Sequence, residues 1–238
     1  DFLNGGPSLR RKFIDWGLFY TVPHFLEKWQ RFHHVLKQRN AALYQKQSPS
    51  SIYSWDIEFS SLGEELSQYR VEYVEKLIAY VEEWITLLVG KPSIQFHYYA
   101  GWNSTESLMA SLKNNFDKDV RYGYTTQGPH RFDLRIQFRD LPVTGVFSRG
   151  EQKRLICALY LAQGKIFEEA TQQGCLYLFD DILSELDEFY QSKVLDALLA
   201  LDAQIFVTSL SASLVRPLLS ANEANQFSVT DGAVKSNS

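Results

Sequence analysis

Three stretches of the chain carry apolar residues at steps of three and four, the spacing that lines up one face of an α-helix. Phe13, Trp16 and Phe19/Tyr20 predict a short helix over 8–20. Phe25, Trp29, Phe32, Leu36 and Leu43 predict a second over 24–47, with basic residues on its other side. The third pattern is long. Over 56–89, Leu62, Leu66, Tyr69, Tyr73, Leu77, Tyr80/Val81, Trp84 and Leu88 keep to one stripe. Residues 47–51 between them read as a turn, because Pro49 disfavours helix at Ser48. The two long patterns would then pack as an antiparallel hairpin, like a short coiled-coil arm.

Beyond Gly90-Lys91-Pro92 the elements shorten. Residues 94–98 alternate like a strand, 105–119 predict an amphipathic helix capped by Ser104 or Thr105, and 132–138 predict another strand. From Phe147 onward helix and strand alternate, the sign of an α/β layer. Its pieces are a helix over 149–170, an apolar strand over 175–179, a helix over 186–200 and a strand over 204–208. Short β-like segments near 227–229 and Val234 follow. The expected class is mixed α/β: a helical lobe with its arm and a small β element over 1–146, and an α/β lobe over 147–238.

Composition narrows the reading a little. A chain of 238 residues with 45% apolar and 22% charged residues can bury a real core, as one large or two small domains, and is not disordered. No apolar run approaches the ~18–20 residues of a membrane helix and no signal-peptide pattern opens the chain. Cys157 and Cys175 are too few for a disulfide framework or a structural zinc site, and read as buried thiols of a reducing cytoplasm. A first residue Asp1 and a lone Met109 suggest a piece of a longer translation product. The net charge is −4, yet residues 1–47 hold eight Lys/Arg against three acids, a local +5. Arg10, Arg11, Lys12, Lys28, Arg31, Lys37 and Arg39 are therefore candidates for contact with nucleic-acid phosphates, although a solvated helix face explains them equally well.

The strongest chemical signal is Cys175-Leu176-Tyr177-Leu178-Phe179-Asp180-Asp181. A buried strand that ends in two carboxylates puts both where open α/β sheets bind ligands. One of these carboxylates could hold Mg²⁺, a hard cation that wants oxygen ligands, and its neighbour could orient or activate a water. Upstream, Phe147-Ser148-Arg149-Gly150-Glu151-Gln152-Lys153-Arg154 opens a helix whose free first-turn amides suit a phosphate, or whose Ser148 is simply an N-cap. Downstream, Ser184 and Asp187 could cap the next helix, and the strand over 204–208 delivers Thr208 and Ser209 to the same sheet edge.

The order and spacing of these four pieces resemble the head of the ABC-type ATPases. The resemblance implies that Ser148, Arg149, Gly150, Glu151 and Gln152 form a signature that reaches a partner's nucleotide. It also implies that Asp180 is the magnesium residue, that Asp181 stands in the catalytic position, that Ser184–Asp187 form the D-loop, and that Thr208 occupies the switch position.

Several blocks resemble the RecF family more closely: 4–15, 37–43, 128–134, the signature with Lys153, and Phe179-Asp180-Asp181 with 184–187. The implied protein binds ATP and Mg²⁺, dimerises on ATP, binds DNA at gaps or junctions, and helps RecO and RecR to load RecA in the cytoplasm. Tyr190 departs from the family, which usually carries a basic residue there. A P-loop needs Gly-Lys-Ser/Thr after an upstream glycine; Gly90-Lys91 and Gly164-Lys165 lack both features. The expectation is the C-terminal two-thirds of a RecF, without the Walker A half-lobe and without ATPase activity of its own. The alternatives are a non-enzymatic helical interaction module with a degenerate ATPase lobe, or another SMC-type head.

Overall fold

A computed structural model describes residues 2–91, 93–211, 213–214 and 225–237. Three helices open the chain: α1 (Pro7–Thr21), α2 (Phe25–Tyr44) and α3 (Pro49–Trp84). α3 starts earlier than its apolar stripe suggests. Pro49 takes the first helical position, where its missing N–H costs nothing, and the Ser48 hydroxyl accepts from the Ser51 amide. Its last turn widens into a π-turn, Ile85–Val89, closed by Gly90 N–H donating to Ile85 C=O at 3.0 Å.

α2 and α3 pack antiparallel, as their matched stripes predict. Lys28 pairs with Glu65 at one end and Arg39 with Asp56 at the other, and Phe32 meets Phe59 at 4.9 Å in between. The hairpin does not stand free. Its outer end is closed by α4 (Leu108–Asn114) and α5 (Phe116–Tyr122), which replace the single helix expected over 105–119. Two tertiary contacts explain the difference. The Ser107 hydroxyl and the Glu64 carboxylate of α3 pin the first amides of α4, moving its start beyond Ser104 and Thr105. Asn115 then donates to Ser111 C=O and ends the helix, and the bend delivers Asp119 to Arg39.

β1 (Ile94–Tyr99), β2 (Asp133–Phe138) and β3 (Leu141–Pro142) form an antiparallel sheet in the order β1-β2-β3. After α6 (Val143–Val146) comes α7 (Arg149–Thr171), which runs alongside α1 in the same direction: Asn4 meets Gln152, Phe13 meets Tyr160, and Tyr20 meets Phe167. Gln163 of α7 donates to Phe13 C=O and to the Tyr73 hydroxyl, joining three helices in the core. β4 (Leu176–Phe179), α8 (Glu188–Leu199) and β5 (Gln204–Val207) follow, with β4 and β5 parallel. β6 (Gln226–Thr230) and β7 (Ala233–Asn237) form an antiparallel hairpin, with Ser228 opposite Lys235 and Val229 opposite Val234. One continuous apolar core runs from Phe2 to Leu198.

The basic segment is largely committed to structure. Arg10 forks onto Asp133 at 2.7 and 3.1 Å, and Arg11 donates to Phe132 C=O. Lys28 and Arg31 are paired with Glu65 and Glu58 on α3. Arg39 is sealed in the core, bonded to Asp56, Asp119 and Thr125 at 2.6–2.8 Å. Of the cations proposed for phosphate contact, Lys12 and Lys37 alone form no ion pair or hydrogen bond among the described residues. The local +5 is met by acids from distant parts of the chain.

Removing one partner of a buried ion pair leaves the other charge stranded, so Arg39→Ala should lower unfolding stability by about 3–5 kcal/mol. Lys28→Ala, which loses only a solvent-screened surface pair, should change it far less. Urea denaturation separates the two. Burial also pushes the His130 imidazole down to about 4, against the backbone acceptor of Thr125 that favours its charged form. The unfolded chain therefore takes up a proton near pH 6.5 that the folded one refuses. Stability should be intact above that pH and fall by up to about 3 kcal/mol as the pH drops towards 4. His130→Gln should flatten the profile between pH 6.5 and 5; an unchanged slope there would exclude His130 as its source.

Candidate nucleotide-binding site

The parallel pairing runs from Leu176 opposite Gln204 to Phe179 opposite Val207, so both strands end at one edge. There the Thr208 amide donates to Phe179 C=O at 2.9 Å. Its hydroxyl donates to Asp180 Oδ1 at 2.6 Å and accepts from the Asp181 amide at 3.0 Å. Asp181 has a left-handed backbone, φ 50°, which turns the chain sharply after the strand. Asp180 is exposed, and its second oxygen meets no protein donor among the described residues. A hard divalent cation takes such an oxygen together with waters, so the acid and its threonine fit Mg²⁺.

The start of α7 lies beside this edge. Ser148 and Glu151 form a capping box: the Ser148 hydroxyl accepts from the Glu151 amide, and the Glu151 carboxylate accepts from the Ser148 amide and hydroxyl. The cap reading of Ser148 is therefore realised, while its hydroxyl remains on the exposed helix end. Burial alone would raise the Glu151 pKa. The Lys91 ammonium at 2.6 Å and the bonds from Ser148 outweigh it and hold the acid below its usual range. Glu151 is thus tied to the cap. Gln152 donates to Phe147 C=O and accepts from Asn4. Arg149 projects into solvent 3.8 Å from Glu185.

Two contacts lock the helix start to the loop that follows β4. A Cβ on Gly150 would sit 2.8 Å from Glu185 C=O, so only glycine lets the loop approach this closely. One turn on, the Lys153 ammonium donates to the Ser184 hydroxyl at 2.5 Å and to the carbonyls of Asp181 and Ser184 at 3.3 and 3.4 Å. Asp187 caps α8 by accepting from the Tyr190 amide. The expected site residues therefore fall into two neighbouring groups. Asp180, Asp181 and Thr208 meet at the strand ends, and Ser148, Arg149, Gly150 and Gln152 line the helix start against the 184–187 loop.

Lys153 and Arg154 matter more than the sequence suggested. Arg154 donates to Leu88 C=O at 2.8 Å, and its guanidinium lies 3.3 Å from the centre of the Tyr190 ring. The departure at Tyr190 is thereby explained: a basic residue at that place would face a buried arginine, whereas an aromatic ring attracts it. Neither Gly-Lys pair forms a phosphate cradle. Gly90 caps the π-turn, and Gly164 lies inside α7, packed under the Tyr177 hydroxyl. On the outer face of the β4–β5 pair, Leu176, Leu178 and Phe206 are uncovered, Leu178 to 73%. Parallel sheets are ordinarily covered on both faces.

No family model matches the chain. Among solved structures it superposes on the recombination mediator protein RecF-ATP in the RecFOR pathway with TM-score 0.81, at 21% identity, over 100% of this chain and 65% of that one. The Smc head domain with an extended coiled coil, from Pyrococcus furiosus, gives TM-score 0.52 at 16% identity over 99% and 58%. The chain therefore has the fold of the corresponding parts of these two structures. In sequence, the "DNA replication and repair protein RecF" of Vibrio cholerae serotype O1 is 39% identical over 235 residues, 99% of this chain. That of Proteus mirabilis is 40% identical over 233 residues, 98% of this chain. The chain belongs to the RecF family, and it spans 64% of the length of these relatives.

If Lys153 holds the loop, Lys153→Met should speed amide hydrogen exchange over 181–186 by about tenfold or more, as the loss of a charged hydrogen bond implies. The middle turns of α7 should stay protected. Equal acceleration along the whole helix would mean that Lys153 supports α7 rather than the loop.

Proposed function

We propose that the chain is the C-terminal part of an ATP-dependent DNA-binding protein of recombinational repair. The observation that carries this reading is the cluster of Asp180, Thr208 and Asp181 at the strand ends, set against the signature helix in a chain of RecF sequence throughout. Residues 1–146 act as the helical lobe and 147–238 as part of the ATPase lobe. The uncovered face of β4 and β5 receives the phosphate-cradling segment of the same protein. ATP sits between two heads, each offering its Ser148 and Gly150 to the partner's γ-phosphate. Mg²⁺, when bound by Asp180, neutralises charge on the phosphates. Asp181 orients the attacking water, and the 184–187 loop faces the partner head. RecO, RecR and single-strand gaps in DNA complete the setting in the cytoplasm, where the assembly aids RecA loading.

A second reading, a helical interaction module without catalysis, draws on the missing phosphate cradle among the described residues. The chain by itself should hydrolyse no ATP above buffer background under either reading. The full-length protein decides. There Asp181→Asn should retain ATP binding and slow hydrolysis by about a hundredfold or more, the scale of a lost general base. Gly150→Asp is a poor probe of dimer formation, because any side chain at 150 displaces Glu185. Arg149→Glu, at an exposed position on the helix end, should abolish ATP-dependent dimerisation in sedimentation while leaving the monomer folded. Undiminished turnover in Asp181→Asn, with ATP-dependent dimers in Arg149→Glu, would overturn the composite site.

A further inference from the structure

The outer end of the α2–α3 hairpin carries an exposed aromatic cluster for which the ATPase reading has no use. Tyr122 and Tyr124 stack with centroids 5.8 Å apart at 27°, and are 56% and 42% exposed. Tyr44, at the last position of α2, is 80% exposed and lies beside Gly123 between them. The Arg131 guanidinium stands 5.6 Å from the Tyr124 ring. Arg121 and Lys118 on α5 are exposed, and none of these three cations forms an ion pair among the described residues. Asp117 is the exposed acid of α5, since Asp119 is consumed by Arg39.

The surface is held rigid from below. Thr125 is bonded to Asn40 and Arg39, Thr126 to Asp119, and His130 to Thr125 C=O. Open rings on a pinned loop, rimmed by unpaired cations, suit a ligand with flat faces and a chain of negative charge. Protein interfaces are depleted of charge at their centres, whereas unpaired bases stack on aromatic side chains while their phosphates seek Arg and Lys.

We propose that Tyr44, Tyr122 and Tyr124, with Arg131, Arg121 and Lys118, form a platform for single-stranded DNA. This rests on the DNA-binding reading above and places the contact at the hairpin end rather than on the basic face of α2. The full-length protein with ATP is titrated into a labelled oligothymidylate and, separately, a duplex of mixed sequence. Tyr44→Ala/Tyr122→Ala should weaken oligothymidylate binding about five- to a hundredfold, the range of one lost stacked base, and spare the duplex. Tyr44→Phe/Tyr122→Phe should restore the affinity, because the ring and not the hydroxyl makes the contact. Arg131→Gln should reduce the salt slope on the single strand by about 0.7.

Unchanged oligothymidylate affinity in the double alanine protein, whatever its effect on protein partners, would overturn the platform and leave the DNA reading standing. Equal losses on duplex and single strand would also overturn it, since paired bases offer no free faces. If the unaltered protein binds neither nucleic acid, the DNA reading fails and the platform fails with it.

Discussion

The architecture depends on burying guanidinium groups where helices cross. Arg70 of α3 forks onto Asp15 of α1 at 2.9 and 3.1 Å, donates to Pro129 C=O, and covers the Phe132 ring at 3.9 Å. Trp29 of α2 completes the group by donating to the same Asp15. Arg39 does the like for α2, α3, α5 and the 125 loop, and Arg154 for α7, the π-turn and α8. A charge taken out of water tolerates few geometries, so each arginine sets which elements meet and at what register. Apolar side chains alone would let these helices slide. The arrangement has a cost: Arg39 Nη2, a buried donor, meets no hydrogen-bond partner among the described residues.

Much of this was legible from periodicity, and the exceptions are instructive. The stripes of α2 and α3 were plain because one face of each is apolar over many turns. The 105–119 segment read as one helix because Glu64 and Arg39, which shape it, lie far away in sequence. Counting charges misjudged the basic segment for the same reason. A run of arginines says nothing of Asp133 or Asp56, which come from other parts of the chain. In the candidate site, the spacing of Ser148–Gln152, Asp180-Asp181, Ser184–Asp187 and Thr208 was legible, since those residues follow one another along strands and turns. The roles of Lys153, Lys91 and Arg154 were not, since each acts across a gap that no local pattern spans.

The site also shows two uses for the same residues. Ser148 caps a helix and still presents a hydroxyl at its end; Gly150 starts a turn and lets a loop come close. Lys153 ties that loop to the helix, so any displacement of the α7 start moves Asp181 and Ser184 with it. The helix end and the strand ends therefore share one rigid piece of structure. Tyr190 shows the converse, a departure from family habit that becomes intelligible once Arg154 is seen beneath it.

The π-turn at Ile85–Val89 bears on how this polypeptide can vary in length. One residue more than an α-turn holds is stored there, and it brings the carbonyls of Leu88 and Val89 to face Arg154. A single-codon deletion within the turn would restore an ordinary helix and swing those carbonyls by about 100°, leaving the guanidinium only the Gly150 carbonyl of its own helix. An insertion would do the same in the other sense. Lengths can drift in surface loops such as the one at 103–107, but this short segment is counted to the residue. Genes descended from a common ancestor should keep its length even where they have exchanged every side chain in it.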